Sequence, residues 1–316
     1  MNFQQLRYVR ETVRQGLNLT NAANALHTSQ PGVSKQIREL EDELGVTIFV
    51  RYGKRITQLT EPGRAVLAVI ERLLIEAENL KKTAADFADQ QSGSLTIATT
   101  HTQARYALPK AVGEFKQRYP KVRLAIVQGS PPVIADMVVR GEADLAVATE
   151  TIAEHEELVA LPCYRWHHVV VTPSDHALRK APRLTLEALA EYPIITYDGA
   201  FTGRSTINHA FAERKLAPNI VLSAIDSDVI KTYVELGLGV GILNAIAFDA
   251  ARDTRLAAID AGHLFAERTT YLAVHRRAYL RTFAYDFIGM FAPALTREHV
   301  GAALAQAARG DEASAD

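Results

Sequence analysis

Residues 17–40 read Leu17-Asn18-Leu19-Thr20-Asn21-Ala22-Ala23-Asn24-Ala25-Leu26-His27-Thr28-Ser29-Gln30-Pro31-Gly32-Val33-Ser34-Lys35-Gln36-Ile37-Arg38-Glu39-Leu40. Leu17-Asn18-Leu19-Thr20 leads into a short helix over residues 21–26, with Thr20 as its N-cap. Ala22, Ala23 and Ala25 are small enough to let another helix approach closely. His27-Thr28-Ser29-Gln30 is a turn, and Pro31 suits the first turn of a longer helix, where its missing N–H costs nothing. The stripe Val33, Ile37, Leu40, Leu44 keeps helical period, and Gly45 ends it. Helix, short turn, helix is the helix-turn-helix plan. Away from the stripe stand Gln30, Ser34, Lys35 and Arg38, donors for phosphates and base edges near the helix start, where a recognition helix needs them. With Thr28, Ser29 and Pro31 they form a candidate DNA-facing set. The plain alternative is a solvated polar face, common on any surface helix.

The flanks favour DNA. Upstream, Phe3, Leu6, Tyr8, Val9 and Val13 recur at helical spacing until Gly16. Downstream, residues 46–51 and 55–60 read as two short strands around Tyr52-Gly53-Lys54. This hairpin wing carries Arg51, Lys54 and Arg55 at or beside its tip, suited to the backbone or minor groove. Residues 1–64 hold nine Lys/Arg against six Asp/Glu in a chain of net charge −1, so the head is locally basic. Pro62 then opens a long helical stretch to about Gln90. Val66, Ile70, Leu73, Ala77, Leu80, Ala84 and Phe87 alternate steps of four and three, a coiled-coil seam. Val66, Ile70, Leu73, Ala77 and Leu80 are its candidate dimerisation residues. One helix-turn-helix reads only a half-site, so pairing here fits a two-fold operator. The alternative is an amphipathic helix packed on its own chain. Gln91-Ser92-Gly93-Ser94 reads as a linker.

The head resembles LysR-type transcriptional regulators. The resemblance rests on Leu19-Thr20-Asn21-Ala22-Ala23, Leu26, Thr28-Ser29-Gln30-Pro31-Gly32-Val33-Ser34, Ile37, Leu40-Glu41, Leu44-Gly45, Phe49-Val50-Arg51, Leu59-Thr60 and Gly63. It implies a linker helix followed by a two-lobed α/β effector domain like a periplasmic binding protein. Further stretches resemble the CysB/Cbl subgroup, whose members control cysteine biosynthesis and sulfur-source genes. These are Thr99-Thr100-His101-Thr102-Gln103-Ala104-Arg105-Tyr106, Gln128-Gly129-Ser130-Pro131, Tyr197-Asp198-Gly199-Ala200-Phe201-Thr202-Gly203-Arg204-Ser205 and Asp226-Ser227-Asp228-Val229-Ile230-Lys231. The resemblance implies double-stranded promoter DNA as a partner and a homo-oligomer, a dimer of dimers, with RNA polymerase as a further contact. It also implies a small anionic effector: sulfate, O- or N-acetylserine, or adenylyl sulfate.

Read from its residues, the second part of the chain alternates strands with helices. Strands over residues 95–99, 122–127, 144–148, 167–172, 194–197, 220–224, 240–243 and 269–274 mean an α/β domain with mostly parallel sheets. The chain is expected to cross between lobes near Tyr164 and return near Phe265. Ligands in such sheets sit beyond the strands' carboxyl ends, and polar clusters fall there: Thr100, Thr102 and Gln103; Thr149; Thr202, Gly203 and Ser205. Helix N-termini and hydroxyls hold anions without a cationic side chain. Thr100, Thr102, Gln103, Thr149, Trp166 and Thr202 are therefore candidate effector residues. The alternative makes each Ser or Thr an ordinary helix cap.

The expected plan is a winged helix-turn-helix head at 1–60, a linker dimerisation helix at 61–92, effector lobe I at 93–163 with 265–292, lobe II at 164–264, and a partly mobile tail at 293–316. No catalytic set, no cofactor and no metal site is expected: no nucleophile–base pair, carboxylate dyad or ligand spacing is present. Gly237-Leu238-Gly239-Val240-Gly241 precedes a strand, the reverse of the dinucleotide order. Cys163 is the one cysteine and reads as structural. The start Met1-Asn2-Phe3-Gln4-Gln5-Leu6-Arg7 lacks a signal peptide's apolar region, and no run reaches the ~18 apolar residues of a membrane span. The expected compartment is the cytoplasm. Two alternatives stand beside a sulfur-gene regulator: a LysR-type regulator of an unrelated small anion, and a solute-binding protein, which leaves the head unexplained.

Overall fold

The computed structural model describes residues 1–313 other than Lys54, Ala181 and Ala200, with the side chains of Glu150, Thr151, Thr202 and 310–313 outside the description. The chain forms two compact units, residues 1–85 and 86–316.

The first unit begins with α1 (Phe3–Arg14), α2 (Leu19–Ala25) and α3 (Gln30–Leu44). Asn2 and Gln5 form a reciprocal capping box on α1. The cap of α2 is Asn18, whose carboxamide oxygen accepts from the amides of Thr20 and Asn21 at 3.0 and 3.1 Å. Thr20, the cap expected from sequence, lies inside the helix; Asn18 sits one residue before its start and reaches two free N–H groups. Ser29 caps α3 with Pro31 in the first turn, and Gly45 ends it at φ +69°. Strands β1 (Phe49–Tyr52) and β2 (Arg55–Leu59) pair antiparallel as the wing. Leu6, Val9, Ala23, Val33, Ile37, Leu40, Ile48 and Phe49 build the head core.

Helix α4 (Glu61–Ala88) starts against the wing: a Cβ on Gly63 would meet the Ile48 carbonyl oxygen at 2.1 Å, so only glycine fits. Its first turns complete the head. Ile70 and Leu74 are 2% exposed within the head core, and Val66 packs half-buried beside them. This corrects the expected seam, whose first two rungs are spent on their own chain. A four–three ladder cannot say whether its partner is intramolecular. The apolar side chains left outside are Val69, Leu73, Leu80 and Phe87; the last three fall seven residues apart, and Leu80 and Phe87 are 73% and 86% exposed.

The second unit begins at the end of α4. The Asp86 carboxylate is buried and accepts from Tyr279 Oη at 3.2 Å and from Thr282 through its amide at 3.3 Å and Oγ1 at 3.2 Å. Arg281 donates to Asp86 at 3.4 Å, to the Ser92 carbonyl at 2.9 Å and to the Asp89 carbonyl at 2.5 Å. Residues 91–94 are thus no loose linker. Gly93, at φ +141°, opens a strand where any Cβ would press on Arg281 Nη1 at 2.4 Å.

The chain continues through β3 (Gly93–Thr99), a helical turn Gln103–Ala107, α5 (Leu108–Arg118), β4 (Val122–Gln128), α6 (Pro131–Val139), β5 (Leu145–Thr149) and β6 (Leu158–Trp166). It crosses to β7 (His168–Pro173), α7 (Leu186–Ala190), β8 (Ile194–Tyr197), α8 (Thr202–Glu213), β9 (Ile220–Ala224), α9 (Ser227–Glu235), β10 (Val240–Asn244) and β11 (Leu256–Asp260). It returns as β12 (Arg268–His275), α10 (Thr282–Phe291) and α11 (Arg297–Ala313). The two sheets are β4-β3-β5-β12-β6 and β9-β8-β10-β7-β11. In each, the strand running against the rest, β12 or β7, pairs antiparallel with both neighbours. Helices cover both faces of both sheets: Phe115, Phe283 and Phe287 fill one side of the first, while Ile207 and Phe211 fill one side of the second.

Three boundaries differ from expectation. Strand β6 carries lobe I to Trp166, so the crossing falls at His167 rather than Tyr164. Phe265 is buried in lobe II's core, and lobe I resumes at Arg268. The stretch after Pro293, expected as a partly mobile tail, forms α11, with Val300 buried in the lobe I core and the Ala307 carbonyl accepting from Arg276 at 2.8 Å. Its alanine-rich composition hid a helix with few apolar anchors. Residues 314–316 lie outside the described residues. No described helix is long and apolar enough to cross a membrane.

Candidate functional site: a helix-turn-helix head and an interlobe cavity

Helix α3 offers a donor-rich face. Thr28, Ser29, Pro31, Lys35 and Arg38 are exposed, and Gln30 and Ser34 are partly so. Ser29 already accepts the Gly32 amide at 3.3 Å as the cap. Lys35 lies 3.7 Å from Glu39, both in solvent, a pair too screened to hold it from a phosphate. The free N–H groups at the start of α3 add positive potential toward the same side.

The wing differs from its sequence reading. Arg51 is not at the tip for DNA: its guanidinium donates to Glu41 at 2.9 Å, and their side chains are only 20% and 10% exposed. Glu41 also accepts the amides of Ile48 at 2.8 Å and Phe49 at 3.0 Å. One carboxylate thus fastens the wing's base to α3. Glu41→Ala is expected to cost about 3 kcal/mol, since it strands two amides and a guanidinium together. Faster hydrogen exchange at Ile48 and Phe49 would report the loss, and unchanged exchange would refute it. Lys54 lies outside the described residues. Arg55 remains exposed, beside Tyr52 at 85% exposure.

The second site lies between the lobes. Thr100, Thr102, Gln103, Pro131 and Thr149 from lobe I, Trp166 at the crossing, and Tyr197, Phe201, Gly203 and Asn244 from lobe II line one cavity of about 40 Å³. Five of the six expected effector residues therefore share a wall. The side chain of the sixth, Thr202, lies outside the description, but its neighbours Phe201 and Gly203 line the cavity. Sequence reading missed Asn244, which follows the strand-end rule once β10 is extended by one residue. Arg204 is committed elsewhere, to the Tyr197 carbonyl at 3.1 Å and Ser223 at 3.0 Å.

The capping alternative can be judged by geometry. Thr102, Ser130 and Phe201 stand at the cap positions of the turn at Gln103, of α6 and of α8, and none makes a side-chain cap bond. Two helix N-termini and a helical turn thus reach the cavity uncapped. Gln103 donates to Thr270 Oγ1 at 3.2 Å and accepts from Tyr164, which fixes its amide. Thr102 Oγ1 lies 3.3 Å from Ser227 Oγ, itself 2.8 Å from Tyr197 Oη. Trp166 is 6% exposed, and its Nε1–H has no hydrogen-bond partner among the described residues. A buried donor beside a cavity is costly unless a ligand or an ordered water accepts from it.

No charged side chain is among the described lining residues. His168 lies beside Trp166, their rings 5.0 Å apart. Burial foremost, then the Arg268 guanidinium, pushes its pKa down to about 4. The unfolded chain takes up this proton near pH 6.5, and the folded chain resists until about 4. Stability is thus full above 6.5 and declines as pH falls toward 4, by about 3 kcal/mol from this group alone. Unfolding of the effector unit across that range should show the decline and His168→Gln should flatten it; parallel curves would refute the assignment.

Comparison with known proteins identifies the family. A model for the bacterial regulatory helix-turn-helix protein, lysR family, matches residues 3–64, and one for the LysR substrate binding domain matches residues 88–296. The chain is a LysR-type regulator. As a member of this family it is a transcription regulator that binds DNA and a small effector and forms oligomers, and not an enzyme. This LysR-type regulator is 59% identical to the HTH-type transcriptional regulator CysB of Burkholderia cenocepacia, over 96% of this chain and 97% of the relative. It is 57% identical to the regulator SsuR of the same organism, over 97% and 100%. The solved cofactor-binding domain of the Cbl transcriptional regulator is 44% identical with a TM-score of 0.65, covering 67% of this chain and 93% of that one.

Proposed function

We propose that this LysR-type regulator acts in the bacterial cytoplasm on promoters of sulfur-assimilation or sulfur-source genes. It binds two-fold operators as a dimer or dimer of dimers, through α3 and the wing. The exposed stripe Leu73, Leu80 and Phe87 on α4 is the pairing surface. An effector held between the lobes changes how the head engages DNA and RNA polymerase.

The observation that carries the effector class is Trp166, which lines a small cavity without a charged side chain among its described lining residues and whose buried Nε1–H has no partner among the described residues. About 40 Å³ holds a few waters or one compact anion, given ~10–15 Å³ of such space per water. Neutral donors suffice for an anion when desolvation strengthens each bond. Sulfate fits this volume best. The acetylserines need the cavity to widen, and adenylyl sulfate needs the lobes to part. Relatedness to CysB and SsuR supports the sulfur pathway.

A thermal-shift panel of sulfate, thiosulfate, both acetylserines and adenylyl sulfate, with acetate and phosphate as unrelated anions, tests the reading. A cognate effector at a hundredfold its Kd stabilises by about 2.7 kcal/mol. A shift with acetate or phosphate alone would move the regulator outside sulfur metabolism, and no shift with any anion would remove the cavity as the effector site.

A further inference from the structure

Two stretches singled out in the sequence, Thr102-Gln103-Ala104-Arg105-Tyr106 and Asp226-Ser227-Asp228-Val229-Ile230-Lys231, belong to different lobes and meet in the fold. Arg105 Nε lies 2.5 Å from Asp228 Oδ2, and Tyr106 Oη donates to Asp228 Oδ1 at 2.5 Å. Lys231 Nζ donates to Tyr106 Oη at 3.0 Å and to the Ala247 carbonyl at 2.9 Å, and reaches both Asp253 oxygens at 2.9 and 3.1 Å. Each hydroxyl, ammonium and carboxylate here uses its partner's complementary role, so the network is fully matched. Lys231 and Asp253 are only 10% and 12% exposed, which shields the lobe II half from solvent screening. The Thr102–Ser227–Tyr197 hydroxyl chain runs from the same junction to the anion cavity. Beside it lies open space of about 440 Å³, and the Tyr106 ring also packs against the apolar cluster of lobe II.

We propose that the Arg105/Tyr106–Asp228/Lys231 network is an interlobe fastener that sets the population of closed lobes. It thereby sets the effector's apparent affinity and residence time, although no member of it lines the anion cavity. The affinity consequence rests on the cavity being the effector site; the closure itself does not. Closing the lobes in advance removes the penalty that a rarely populated competent state imposes on binding. The network members are positioning residues. A candidate cation site among His101, Asp226 and Asp228 is no competitor, since Asp228 already carries Arg105 and Tyr106.

The test uses full-length protein in a Cys163→Ser background with spin labels at Lys110→Cys and Ala212→Cys, exposed positions on α5 and α8. Without any anion, Asp228→Asn and Tyr106→Phe are expected to broaden the interlobe distance distribution toward longer values; a distribution identical to the parent's would overturn the fastener. Inorganic sulfate is then titrated at constant ionic strength. Each variant is expected to bind about tenfold more weakly through faster dissociation, followed by the single tryptophan, Trp166. The double variant should be no weaker than either single one, as for two members of one device. Unchanged sulfate affinity and off-rate would overturn the proposal. Should the parent fail to bind sulfate or any other anion, the cavity reading falls while the label distances still decide the fastener.

Discussion

Replacing Trp166 with phenylalanine is expected to weaken sulfate binding by about 10- to 100-fold while leaving the unliganded protein as stable as before, or more so. Trp166 lines the cavity, and its indole Nε1–H is buried with no partner among the described residues. A hydrogen bond to a charged acceptor contributes about 1.5–3 kcal/mol, which converts to that range of affinity. Phenylalanine keeps the ring packed beside His168 and removes only the donor. Because a buried N–H without a protein acceptor costs free energy, its loss should leave the unfolding midpoint of the unliganded protein unchanged or slightly raised. Lost affinity without lost stability separates a ligand donor from a packing residue. Calorimetric titration and thermal unfolding of the same preparation read both, and equal sulfate affinity in Trp166→Phe would remove the indole from the site.

The second large effect is expected at the head. Lys35→Ala and Arg38→Ala should each weaken operator binding by about 1–3 kcal/mol, and the two are separable by salt. A phosphate contact lowers affinity for all sequences alike and reduces the slope of log K against log salt by about 0.9 per lost charge. A base contact instead erodes the preference for the operator over random DNA. Arg51→Ala should look different: its partner is Glu41, so it loosens the wing and lowers head stability more than it changes the salt slope. Fluorescence anisotropy across a salt series distinguishes the three, and an Arg51→Ala slope reduced as much as that of Lys35→Ala would contradict the placement of Arg51.

The head was legible because its local signals agree. The apolar stripe of α3, Pro31 at its start and Gly45 at its end point to one helix without reference to distant residues. The cleft was legible because polar residues at strand ends follow a rule of topology, which brought Thr100, Thr102, Gln103, Thr149 and Trp166 to one cavity. What sequence concealed depends on contacts far along the chain. Arg51 reads as a DNA contact until Glu41, ten residues earlier, is found beside it. Ile70 reads as a dimer rung until the head core closes over it. Strands β6 and β11 are paired through β12 and β7, and their alternation of apolar and polar residues is interrupted, so neither announced itself. The Asp86–Arg281 cluster joins residues 195 positions apart, beyond any local pattern.

On the proposed mechanism, an anion held by neutral donors between the lobes alters how α3 and the wing engage DNA. Hydroxyl-radical footprinting of the full-length protein on a sulfur-assimilation promoter, with and without saturating effector, tests it most directly. The expected result is a footprint that shifts in extent or bend with effector in the parent protein and stays fixed in Trp166→Phe at the same effector concentration. Thermodynamic reciprocity requires that operator DNA change effector affinity by the same factor. A parent footprint indifferent to every anion, or a shift that persists undiminished in Trp166→Phe, would contradict it.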